Sequence, residues 1–221
     1  MDKPHFSEVY SKANEILVST SVINSFPYSV KDLVKEQIDV RFKTFAKARQ
    51  HGLDMEAFGS ESAIVMKYHG KTVIFYDETK PETHNRFSIL HEAGHVINNH
   101  DFDVVNRERY DRYEIETNYF ASQLLMPEQL LRYMQTRGVA ITVPFLMENF
   151  GVSKTAAQKR IDNLAKTNAE WRSRKEKEFD DIILERYRPL IEHLCPHCNY
   201  AYDFEDEYDN QRRRDGWFSY R

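Results

Sequence analysis

The residues with the most legible chemistry are His91-Glu92-Ala93-Gly94-His95. On a helix, two imidazoles four residues apart stand one turn apart and point to the same place. Neutral imidazoles at that spacing suit a tetrahedral Zn2+, a borderline-soft ion that favours nitrogen ligands. Glu92 projects beside the pair, placed to take a proton from a metal-bound water instead of binding the metal. A catalytic zinc also needs a third protein ligand and leaves its fourth position to water. Downstream, the stretch from Tyr113 to Pro127 carries Glu114 and Glu116, and its glutamates offer the missing carboxylate.

This chemistry requires two helices. Phe87, Leu90, Gly94 and Ile97 recur at three- and four-residue steps, which predicts one buried helical stripe. Pro81 is placed to start that helix, which should fray near Asn98-Asn99-His100-Asp101, with His100 a solvated residue at its end. The second helix has Ile115, Tyr119, Phe120 and Leu124 as its apolar stripe, and Pro127 stops it. Asp101–Arg112 between them is polar and charged and reads as a solvated loop or helix start. Tyr113, Tyr119, His100 and Arg86 are candidates to stabilise charge on a reacting carbonyl oxygen.

Arg86-Phe87-Ser88-Ile89-Leu90-His91-Glu92-Ala93-Gly94-His95, followed by Glu116-Thr117-Asn118-Tyr119-Phe120-Ala121 and Leu124-Leu125-Met126-Pro127, resembles the ImmA/IrrE family of metallopeptidases. The resemblance covers about residues 30–165. It implies a zincin-like core, a bound Zn2+ and a protease that cuts a partner helix-turn-helix repressor to relieve transcriptional repression, often in mobile elements or stress responses. Carried over position by position, His91, His95 and Glu116 are the metal ligands and Glu92 is the catalytic base, with Glu114 on the same helix as the alternative third ligand. Ala93 and Thr117 stand where the family more usually has Leu and Ala, and neither is a ligand position.

The chain has 221 residues, of which 41% are hydrophobic and 30% charged, enough for one domain with a sizeable core and an appendage. A formal net charge of −4 gives no global attraction to nucleic acid or an anionic membrane. Met1-Asp2-Lys3-Pro4-His5 is not followed by an apolar signal region, and runs such as Ala63-Ile64-Val65-Met66 are too short to span a bilayer. The only cysteines, Cys195 and Cys198, form no disulfide framework and are compatible with a reducing cytosol. The expected location is cytoplasmic, with a cytosolic substrate and no membrane partner.

The remaining pattern predicts an α+β fold with a small antiparallel sheet and an active-site helix, followed by helical segments, and the family resemblance implies that the core is zincin-like. Phe6, Val9, Tyr10, Ala13, Ile16 and Leu17 have helical spacing, and Ser29 is placed to cap a helix from about Val30 to Gln37. Ile38–Lys43 alternates like a half-buried strand, and Ala63–Tyr68 and Thr72–Tyr76 form a hairpin through His69-Gly70-Lys71. Gly52, Gly59 and Ser60 mark loops. Residues 145–164 resemble a helix-turn-helix, with Gly151 at the turn, Ser153 as cap and Ala157, Ile161 and Leu164 facing inward. Its outer face carries Lys154, Thr155, Gln158, Lys159 and Asn163, which suit docking of a repressor better than DNA binding on an acidic chain.

Residues 1–166 are thus expected to form the peptidase domain and 167–221 a charged helical extension, kinked or ended by Pro189. Within the extension, Cys195-Pro196-His197-Cys198 has the form of a zinc knuckle that lacks a second cysteine pair. The expected activity is zinc-dependent limited proteolysis of a repressor. The rivals are a non-catalytic zincin-like regulator that binds a repressor or DNA, and a general peptidase. An intact His91/Glu92/His95 set favours catalysis, because a pure scaffold has no need of the base.

Overall fold

The computed structural model describes residues 4–55, 62–101, 106–168, 170 and 172–196. Gly59, Ser60, Val104, Val105, Trp171, His197, Cys198 and the tail from 199 onward lie outside the described residues. The chain opens with helix α1 (Phe6–Ser19) and helix α2 (Val30–Gln37), whose Ser29 cap accepts a hydrogen bond from the Asp32 amide. Strand β1 (Val40–Thr44) runs into the short helix α3 (Phe45–Gln50), capped by Thr44. Strands β2 (Ala63–Tyr68) and β3 (Lys71–Tyr76) pair antiparallel, with Val65 opposite Ile74. Their connection places His69 (φ 48°) and Gly70 (φ 72°) in the left-handed region, the backbone that a two-residue hairpin turn requires.

The sheet order is β1-β3-β2, and β1 joins β3 in parallel, with Val40 opposite Thr72. An all-antiparallel sheet was the expectation, but only the hairpin pair has that sense. The chain leaves β1 through α3 and comes back through β2 before reaching β3, a connection long enough to permit a parallel pair. The central strand β3 is buried on both faces. Ile74 faces the main core with Val40 and Val65, while Val73 and Phe75 face a smaller cluster with Phe45, Ala48 and Met55. β2 is left as an edge strand.

Helix α4 (Glu82–Ile97) follows Pro81 and packs on this sheet. Its buried residues are Asn85, Arg86, Ile89, Leu90, Ala93 and Gly94. Phe87 and Ile97, expected in the buried stripe, are only half-buried, so the helix is rotated from the predicted phase. Helix α5 (Arg107–Leu125) starts six residues before the predicted Tyr113, because the Asn106 side chain accepts from the Arg109 amide and caps it. Ile115 is exposed, while Phe120 and Leu124 are buried.

Helices α6 (Glu128–Thr136), α7 (Val143–Phe150), α8 (Lys154–Lys166) and α9 (Arg174–Ile191) complete the fold. The α7–α8 turn follows the predicted pattern. Gly151 ends α7 at φ 61°, and Ser153 caps α8. A Cβ at Gly151 would come within 2.9 Å of Pro27 in addition to the positive φ. Buried Arg160 ties α8 to the C-terminal end of α5, donating to Gln123 Oε1 and to the Met126 carbonyl, both at 2.6 Å. α9 continues through Pro189 to Ile191 and packs on α1 and α6, placing Ile183, Tyr187 and Ile191 in the main core. Pro189 sits in the last turn, where the helix stops within two residues. Among the described residues, no helix is long and apolar enough to cross a membrane.

Candidate metal centre

The α4–α5 contact brings the predicted histidines onto a shared cleft. The two helices approach closely at Gly94, where a Cβ would meet Phe120 Cδ1 at 3.0 Å and Thr117 Cγ2 at 3.3 Å. Along this seam His91 Nε2 and His95 Nε2 lie 3.2 Å apart. The carboxylate that meets them belongs to Glu114. Its Oε2 is 3.3 Å from His91 Nε2 and its Oε1 is 3.4 Å from His95 Nε2.

These three residues form a half-buried group whose ligand atoms lie within 4.8 Å of one another. A tetrahedral ion with bonds of roughly 2.0–2.1 Å has edges of about 3.3–3.4 Å between ligand atoms. The observed separations fit that figure. Two imidazole nitrogens and one carboxylate oxygen are also a donor set that zinc accepts.

Glu116, the expected third ligand, is not at this group. Two residues on a helix turn the side chain by about 200°, so Glu114 and Glu116 face opposite sides of α5. Glu116 is buried, its Oε1 accepting from the His5 amide at 2.9 Å and its Oε2 lying 3.1 Å from His100 Nε2. His100 is likewise not the solvated residue expected. It is buried, stacks on Tyr113 with ring centroids 4.0 Å apart, and places its Nδ1 3.1 Å from His95 Nδ1.

This chain of contacts dictates a tautomer. Burial lowers the His100 pKa to about 3, so its ring is neutral and carries one N–H. The Glu116 carboxylate can only accept, which assigns that N–H to His100 Nε2. His100 Nδ1 then accepts from His95 Nδ1–H, and the lone pair of His95 Nε2 is left facing Glu114 and His91. Outer partners that orient ligating histidines commonly work in this way.

Glu92 lies on the sheet side of the cleft, where its Oε2 accepts from the Val65 amide of β2 at 2.9 Å. Burial raises its pKa, against the opposing pull of His91, His95 and the Val65 amide. Glu114 is held below the usual carboxylate range, because hydrogen bonds and charge from His91 and His95 outweigh the effect of its burial. Burial alone would lower the His91 pKa, yet the Glu114 contact reverses the shift and raises it.

Most of the candidates for a carbonyl-oxygen partner are engaged elsewhere. Arg86 is buried and donates to the Tyr28 and Gly151 carbonyls. Tyr113 stacks on His100, and Tyr119 packs against Phe6 and Tyr10. Tyr110, which sequence reasoning missed, lies close enough to the site for the Glu114 charge to act on it. Burial and the Glu114 charge raise its pKa, which keeps it a proton donor. Its position one helical turn before Glu114 was the available signal. The knuckle expectation rests partly on Cys198, outside the described residues; Cys195 is buried after α9.

The model of the IrrE N-terminal-like domain of peptidase family M78 matches residues 35–162. The chain belongs to this family. Membership supports a metallopeptidase-type site on the α4–α5 seam, and a metal is implied by the family. Among solved structures, the chain matches a Mycobacterium tuberculosis transcriptional regulator at 15% identity and a TM-score of 0.43. That likeness covers 72% of this chain and 48% of the regulator, so the chain spans about half the regulator's length. No curated protein matches the chain.

Proposed function

We propose that this M78 family chain is a zinc-dependent endopeptidase that makes a limited cut in a cytosolic helix-turn-helix repressor. His91, His95 and Glu114 are assigned as the zinc ligands and Glu92 as the catalytic base. The observation that carries the reading is the tetrahedron-sized His91–His95–Glu114 group with a carboxylate of raised pKa beside it. When bound there, zinc supplies a water of lowered pKa and polarises the scissile carbonyl.

The chain's own groups do the rest. Glu92 accepts the proton of the attacking water and passes it to the leaving amine, a role suited by its raised pKa. His100 and Glu116 act as positioning residues that hold His95 in its ligating tautomer. Tyr110, exposed one helical turn before Glu114, is the hydroxyl we assign to donate to the carbonyl oxygen. The β2 edge can add an extended substrate segment by backbone hydrogen bonds, which favours a mobile linker over a folded core. The repressor as substrate rests on the family resemblance.

The test is incubation of the zinc-loaded chain with helix-turn-helix repressors from its own source, with and without chelator, read by mass spectrometry. A chelator-sensitive cut at one or a few sites is expected. Repressor binding without cleavage would favour the non-catalytic regulator, and efficient digestion of casein would favour a general peptidase.

A further inference from the structure

A pocket of about 460 Å3 opens beside the metal centre, between α1, α4, α5 and α8. It shares a wall with the candidate ligands. Phe87 lies one helical turn before His91, and Ile115 and Asn118 follow Glu114 by one residue and by one turn. Its volume falls within the roughly 300–1,000 Å3 of ordinary ligand sites.

The lining is apolar at its base and cationic at its rim. Phe6 and Ile115, two large apolar side chains, are each left 46% exposed there. Exposed apolar groups gathered in a concavity mark a surface awaiting a partner. Lys159 and Lys166 of α8 reach the rim, and no acidic residue lines the pocket. Among the described residues neither ammonium has an ion-pair partner, whereas Arg132, Arg172 and Arg174 nearby in the chain are all paired. The sequence suggested that Lys159 and Asn163 belong to an outlying docking face, but both line this cleft.

We propose that this pocket selects the substrate. It receives a bulky apolar side chain from a residue beside the scissile bond, and Lys159 and Lys166 engage an acidic residue next to it. Helix α8 thereby serves as a wall of the active-site cleft, held in place by Arg160. This inference rests on the peptidase reading, because the pocket takes its role from the metal centre it adjoins.

Peptide hydroxamates test the two separately, since the hydroxamate anchors on zinc while the side chains probe the pocket. Calorimetry on the zinc-loaded full chain would compare acetohydroxamate, alanyl and leucyl hydroxamates, and leucyl compounds extended by Glu or Lys. The leucyl compound should bind about tenfold or more tightly than the alanyl one. Glu should be preferred to Lys by about two- to fivefold, as for a partly exposed ion pair. The double change Lys159→Glu with Lys166→Glu should reverse that order. Equal binding of leucyl and alanyl compounds, with acetohydroxamate still bound, overturns the pocket and leaves the metal centre standing. An unreversed charge order removes the acidic preference from the proposal. Failure to bind zinc or acetohydroxamate overturns the peptidase reading and the pocket with it.

Discussion

Glu114 and Glu116 of α5, two residues apart, face opposite sides of the helix and have opposite surroundings. The Glu114 side chain is 32% exposed, looks into the cleft and meets two imidazoles. The Glu116 side chain is 5% exposed and meets the His5 amide and His100 on the other side. One face is open to water and substrate and can share its charge with an ion. The other face is sealed, and its carboxylate can only fix the groups around it. A carboxylate's role here follows from the direction of its side chain, although both residues sit in one motif.

Removing a direct ligand should have the largest effect. Glu114→Ala is expected to weaken zinc binding about 10²–10³-fold, taking roughly a quarter of the ~10–16 kcal/mol available to a four-coordinate site. Chelator competition measures this directly. Glu116→Gln should cost more modestly, about 10–100-fold. If the Glu116 change were the costlier, the assignment of the two faces would be inverted.

Loss of the base should separate chemistry from binding. Glu92→Gln should keep zinc and lower peptide hydrolysis by about 10²–10⁴-fold. Near-normal turnover by this variant would remove Glu92 from the mechanism.

The sealed face can be sharpened by a cycle. His100→Phe retains an aromatic ring to stack on Tyr113 but makes neither hydrogen bond. It should weaken zinc by about 10–100-fold, as Glu116→Gln does. The double variant should be little worse than either alone, because both act through one contact chain to His95. Fully additive losses would mean that Glu116 acts on the site by a different route.

A smaller effect concerns the seam itself. Gly94→Ala places a methyl against Phe120 and Thr117 at 3.0 and 3.3 Å. We expect a loss of about 1–3 kcal/mol in urea denaturation, with zinc binding retained. Unchanged stability would show that α4 and α5 can separate without cost.

Local signals were legible in advance. His91, Glu92 and His95 share their geometry because helix periodicity alone sets it. Ser29 and Ser153 act as caps, Pro81 precedes α4 and His69-Gly70 turns the hairpin, all through interactions within a few residues. What only the tertiary structure decided was rotation and partnership. The phase of α4 about its axis moved Phe87 out of the core and into the pocket. The phase of α5 chose Glu114 over Glu116, and with it Tyr110 over Tyr113 and Tyr119. That phase is set by how closely Gly94 lets Phe120 approach, a contact between residues 26 apart in the chain. His100 became a partner of His95 because the chain turns back after α4 and Glu116 lies across from it. Periodicity places side chains on a helix, but only packing against a second helix decides which of them face each other.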